Sequence, residues 1–142
     1  MSKSKTDNRG FSLLEALLAI AVILVGILAI VKIFPLAFQV SQAAAKATIA
    51  TNLAQAKIEE IFYLDYDNIT LGALEAKHRL SADPANPFYY YQRQTVAKYV
   101  DGNLNYSATD TGLKKITATV YWRSPILKNE KNLEIKILIS KK

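Results

Sequence analysis

Polar and apolar positions divide this chain into four stretches. Residues 1–10 (Met-Ser-Lys-Ser-Lys-Thr-Asp-Asn-Arg-Gly) are polar and net basic. Phe11 to Val31 is apolar, 21 residues with Glu15 as the single charge and none from Ala16 onward. As a helix this run would measure about 31 Å, the depth of a bilayer's hydrocarbon core. Phe38 to Leu64 contains no Gly or Pro and is rich in strong helix formers. Within it Val40, Ala43, Ala47, Ala50, Ala54, Ile58 and Ile61 recur at spacings of three and four, which predicts one apolar, small-residue stripe. Pro35 stands between the two helical stretches. It either ends the first helix at Phe34 or kinks a helix that continues, and the strength of the pattern after Phe38 favours continuation.

Beyond Leu64 the period changes. Asp65-Tyr66-Asp67-Asn68 breaks the helix, and residues 65–87 read as a connecting loop with a short helical turn, punctuated by Gly72, Asp83-Pro84 and Asn86-Pro87. Phe88 to Val100 is dense in aromatic and branched residues and predicts a strand. Asp101-Gly102-Asn103 then turns the chain into a short strand over Leu104 to Ala108, giving a hairpin. After a turn at Thr109–Gly112, Lys115 to Arg123 alternates, with Ile116, Ala118, Val120 and Trp122 on one face. Ser124 to Asn132 reads as a loop. Leu133, Ile135, Ile137 and Ile139 then mark a last strand. The expected fold is α+β: a long N-terminal helix, hydrophobic in its first half and amphipathic in its second, packed on a small antiparallel sheet of about four strands covered on one side. The expected segments are 1–10, 11–34, 35–64 and 65–142.

Composition narrows the function classes. The chain has 142 residues, 51% of them hydrophobic, which suits one modest domain and argues against disorder. Of its net +6 charge, Lys3, Lys5 and Arg9 precede the apolar run, and the other basic residues are dispersed. Solvated strand faces explain them better than a nucleic-acid surface, and DNA binding has no motif behind it. The Tyr89-Tyr90-Tyr91 cluster with Arg93 reads as core and cross-strand packing, because a strand would point Tyr90 away from its neighbours. Cysteine is absent, and His78 is the only histidine, expected in an exposed loop. Glu59/Glu60 and Asp65/Asp67 lack calcium-loop spacing. No acid–base pair, nucleophile motif or phosphate loop stands out, so neither an enzyme nor a metal or cofactor is expected.

Basic residues before an apolar run stay cytoplasmic, which would place the remainder across the membrane. The length of the run favours an anchor over a cleaved secretory signal. Glu15 is the anomaly. An acidic side chain at mid-membrane depth costs roughly 2.5–3.5 kcal/mol on insertion scales, so a partner is expected. The alternative is a hydrated, idle carboxylate at the headgroups.

The junction Gly10-Phe11-Ser12-Leu13-Leu14-Glu15, behind a basic leader, closely resembles the processing site of type IV prepilins and pseudopilins. The likeness is close from Arg9 to about Val31 and looser to about Ile61. It implies cleavage between Gly10 and Phe11 by a prepilin peptidase, N-methylation of Phe11, and a role in subunit assembly for Glu15. The new Phe11 ammonium of one subunit would neutralise Glu15 of a neighbour, setting register. The tail with Tyr121-Trp122-Arg123 is more weakly similar to I-type pseudopilins and V-type minor pilins. The resemblance implies a minor pilin or pseudopilin of a type IV pilus, type II secretion or DNA-uptake filament. Its implied partners are other pilin-like subunits, the peptidase/methylase, an assembly ATPase and a platform protein. It would sit as a single pass in the inner membrane, its C-terminal domain outside the cytoplasm, before joining an extracytoplasmic filament. The alternative from a different class is a membrane-anchored domain that binds a ligand or envelope component.

Overall fold

The computed structural model describes residues 11–124 and 128–141. Helix α1 spans Leu13–Phe62 and is followed by a short 3-10 turn at Tyr66–Asn68. Four strands come next: β1 (Gly72–Arg79), β2 (Tyr91–Tyr99), β3 (Leu113–Arg123) and β4 (Glu130–Ser140). They pair antiparallel in the order β1-β2-β3-β4, a meander. By packing, the chain divides into two units, one ending at Phe38 and one beginning at Gln39. The helix assignment runs through Pro35.

In the second unit the helix covers one face of the sheet. Ala50 and Ala54, both with no exposure, meet Ala97 and Ala118, also fully buried, together with Ile116, Val120, Tyr91 and Trp122. Methyl-sized side chains on both elements let the helix backbone approach the sheet closely. Ile58 and Ile61 extend the contact, and Leu133, Ile135, Ile137 and Ile139 of β4 border it half-buried. Fully burying one branched aliphatic side chain such as Ile116 contributes about 1.5–3 kcal/mol. Overfilling this seam is correspondingly costly.

The expected architecture holds, with local corrections. The stretch read as a loop contains β1, whose Ala, Leu, Glu and Lys are helix formers rather than strand formers. It is an edge strand held by backbone pairing to β2, with register shifts between Ala73 and Glu75 and between Glu75 and His78. Gly72 opens it at φ +94, a conformation that disfavours side chains. His78 is exposed as expected, but on this strand rather than in a loop. Leu104–Ala108 is not a strand. Only a single bridge, Val100 to Tyr106, forms there, because Asp101 collects the amides of Asn103 and Asn105 and curls the segment into turns. Pro87–Tyr90 is a 3-10 turn, so β2 starts at Tyr91. Of the three tyrosines only Tyr91 is core, while Tyr90 is exposed. β4 begins at Glu130, earlier than the alternation of its apolar residues suggests.

Two polar devices sit on the helix-facing side of the sheet. Lys114 is 4% exposed, and its Nζ donates to the carbonyls of Tyr66 (2.6 Å) and Ile69 (2.8 Å) while lying 4.0 Å from the Tyr66 ring centroid. It ties the turn after α1 to the start of β3. Tyr66 in turn donates its hydroxyl to Asp110. Burial first, and then this bond to a carboxylate, raise the tyrosine's pKa. The second device is Glu75, which receives Arg93 Nε (2.8 Å), Arg93 Nη2 (2.9 Å) and the Thr95 hydroxyl (2.9 Å). The remaining Arg93 Nη1 donates to the Leu53 carbonyl of α1 at 3.1 Å. Burial opposes ionisation of Glu75, but the Arg93 and Thr95 bonds and the charges of Arg93 and Lys57 outweigh it and hold the carboxyl below its ordinary 4.5.

A lowered folded pKa means that protonation favours the unfolded chain. The Glu75 contribution is therefore complete above about pH 4.5 and is lost as pH falls through the lower folded value. Breaking a buried pair costs about 3–5 kcal/mol. Glu75→Gln is expected to lose roughly 3 kcal/mol at pH 7 and to show a flatter fall in stability between pH 5 and 3. Denaturant unfolding of the full chain in detergent across that range measures both, and an unchanged acid slope would refute the assignment.

Candidate functional site

The candidate site begins where the described chain begins. Gly10 and the leader 1–10 lie outside the described residues. Phe11 and Ser12 are extended before α1, and Phe11 is 76% exposed. The first helical bond runs from Ala16 N–H to Ser12 C=O at 3.1 Å, which makes Ser12 the N-cap. Ser12 and Glu15 thus occupy the two positions of a capping box. Its signal, Ser-x-x-Glu ahead of an apolar run, stands in the sequence beside the more conspicuous Gly10-Phe11 junction and is easily passed over. Neither side chain makes a capping bond, however, and Glu15 has no partner among the described residues. Its carboxylate lies exposed in the first turn, where the helix dipole favours negative charge.

The helix after Glu15 is bare. Leu13, Leu17, Ile20, Ile23, Ile27 and Val31 are all more than half exposed, and so are the large apolar side chains between them on every side of the helix. This all-round exposure distinguishes it from the amphipathic stretch after Ala43. Pro35 lacks the N–H that would meet the Val31 carbonyl. An open cleft of about 460 Å³ is lined there by Ile30, Val31, Phe34, Pro35 and Phe38. Apolar surface this large and contiguous requires lipid or another apolar helix against it. Among the described residues α1 is the one helix long and apolar enough to cross a membrane.

Of the three residues singled out from sequence, the structure places Phe11 and Glu15 within about one turn of each other at the mouth of the bare helix. Gly10 is the one it does not describe. Among the described residues no group of three or more His, Cys, Asp or Glu gathers as a metal site. Glu59 and Glu60 are exposed near the end of α1, and Glu60 pairs with Lys57 at 2.8 Å. Asp67 sits 3.4 Å from Lys141.

Residues 5–31 match the family model of the prokaryotic N-terminal methylation motif. No curated protein and no solved structure matches the chain. The chain carries a type IV pilin-like prepilin signal, followed by a long helix packed on an antiparallel sheet in the pilin-like manner. This signal supports a pilin-like, prepilin-processed protein, and with the apolar helix it fits a single-pass membrane anchor. The match ends at residue 31 and carries no information on the sheet domain.

An arginine at the centre of such a span costs about 2.5–3.5 kcal/mol on insertion scales. Leu24→Arg is expected to shift the chain from the carbonate-resistant membrane fraction towards the soluble or degraded fraction, with Leu24→Ala close to wild type. Equal membrane retention of Leu24→Arg would argue against a spanning helix.

Proposed function

We propose that this chain is a filament subunit, a minor pilin or pseudopilin, cleaved between Gly10 and Phe11, methylated on Phe11, and assembled through its bare helix. The observation that carries the reading is a methylation-motif match ending in a helix whose apolar surface nothing among the described residues covers. Lipid covers that surface before assembly, and neighbouring subunits' helices replace lipid in the filament. The basic leader keeps its end in the cytoplasm, so the sheet domain lies on the other side. The segments are then a leader 1–10, a membrane and filament-core helix 11–34, an amphipathic helix 35–64, and a loop-plus-sheet region 65–142. A prepilin peptidase/methylase, an assembly ATPase, a platform protein and other pilin-like subunits are the partners this reading requires.

Glu15 explains why processing must precede assembly. Its carboxylate is unpartnered among the described residues, and the ammonium created at Phe11 by cleavage supplies a cation at the same depth in a neighbouring subunit. In a low-dielectric bundle, an unpaired carboxylate opposes packing, whereas a paired one fixes the stagger between helices.

The mass of the membrane-extracted protein decides the processing step. The expected chain begins at Phe11 and carries one added methyl group, and an intact leader would overturn the proposal. Glu15→Ala is expected to be inserted and cleaved normally yet to be recovered in sheared filaments at least about tenfold less than wild type, as for the loss of a buried charge partner. Incorporation at the wild-type level would remove the pairing role from Glu15.

A further inference from the structure

The face of the sheet turned away from α1 carries an electrostatic cost with no internal explanation. Lys98 of β2 and Lys115 of β3 are direct cross-strand partners. Like charges so placed destabilise a sheet. Neither pairs with a carboxylate among the described residues. Both ammonium groups instead lie over one ring, that of Tyr106, at 4.5 Å and 4.3 Å from its centroid. Lys136 of β4 borders the same cleft of about 180 Å³, which Thr117 also lines. Lys136 is the compensated cation of the three, bound to Glu134 at 2.7 Å. Glu134 lines the same cleft but is taken up by Lys136, so Lys98 and Lys115 leave the cleft with an excess of positive charge, as an anion subsite needs.

The rest of this face specifies the ligand. Along β3 the outward positions run Lys115, Thr117, Thr119, Tyr121, Arg123, so two cationic ends are separated by roughly 26 Å. Between them Gln94, Thr119 and Asn132 offer amides and a hydroxyl, beside Tyr121, whose hydroxyl donates to Gln94 at 3.3 Å, and beside Glu134, which is opposite Thr119 and paired with Lys136. The far end is a second cleft, of about 360 Å³, with Arg79 and Arg123 and one opposing acid, Glu130. Three rings bordering this face hold cations: Tyr106 the two lysines, Tyr121 Lys77 at 3.9 Å, and Tyr89 Arg79 at 4.4 Å, while Tyr90 at the far cleft is exposed and meets only the edge of Tyr89. Single-stranded nucleic acid is bound by stacking successive bases on a row of open aromatic faces, and a single open ring, Tyr90, makes no such row. A hydrogen-bonding strip whose own charges are paired, Lys136 with Glu134 and Lys77 with Glu130, lies between ends with an excess of positive charge and suits hydroxyl-rich repeats with periodic acid groups.

We propose that the outward face of the sheet binds an acidic polysaccharide, with Lys98 and Lys115 holding one of its acid groups over Tyr106. This goes beyond the filament reading and stands independently of it, since it needs only the folded sheet. The full chain in neutral-detergent micelles is titrated with polygalacturonate, with uncharged dextran and with oligo(dT). Expected is binding to polygalacturonate that weakens with salt, with none to dextran and less to oligo(dT). The double variant Lys98→Gln/Lys115→Gln is expected to lose at least about tenfold in affinity and to unfold no earlier than wild type, because a like-charge pair is removed. Lys128→Gln/Lys131→Gln, with the same change in net charge, is expected to bind as wild type. The proposal is overturned if polygalacturonate binds no better than dextran, if oligo(dT) binds as tightly or more tightly, or if the two double variants weaken binding equally.

Discussion

Water and the surface of α1 from Leu13 to Val40 are incompatible at equilibrium, and the described chain supplies nothing to separate them. Everything else about the N-terminal unit follows from that constraint. The helix must be long enough to span a hydrocarbon layer, and it is. It must be uncharged along the span, and the two charges between Leu13 and Val40, Glu15 in the first turn and Lys32 just past Val31, flank a run of sixteen uncharged residues. A surface that lipid satisfies can equally be satisfied by other such helices. An anchor and a packing element therefore need no change of conformation to interconvert, only a change of neighbours.

Charge is sorted between the two faces of the sheet. On the helix side, Glu75, Arg93 and Thr95 form a satisfied cluster that reaches α1 through the Leu53 carbonyl, and Lys114 is held by two backbone carbonyls and the Tyr66 ring. These groups are spent on holding elements together. On the outward side, Lys98 and Lys115 share the ring of Tyr106 but no carboxylate among the described residues, and their mutual repulsion works against the fold. A structural ion pair can be read as architecture, whereas an unbalanced one directs attention to something outside the chain.

The amino-acid sequence is readable where period and environment agree. β3 alternates because one face meets the alanine stripe of α1 and the other does not, so Ile116, Ala118, Val120 and Trp122 can be assigned to the core from alternation alone. The Gly10-Phe11 junction and Glu15 are readable because their types and spacing are unusual ahead of a long apolar run. β1 is not readable, since its strand state comes from the edge of β2 and from an inward Glu75, both long-range facts that Gly-Ala-Leu-Glu-Ala-Lys does not encode. Leu104–Ala108 misleads for the opposite reason: strand-like residues are overruled by a local aspartate gathering two backbone amides. The Lys98–Lys115 juxtaposition requires the register of β2 on β3, which no spacing along the chain reveals.

Lys114 has a mechanical meaning. It fastens the carbonyls of Tyr66 and Ile69, just past the end of α1, to the first residues of β3, an inner strand of the sheet. β3 is in register with β2 over nine residue pairs and with β4 over eleven. A pull on the end of α1 therefore enters the sheet through its best-bonded strand. There, the load meets two continuous ladders of backbone hydrogen bonds, one on each side of β3.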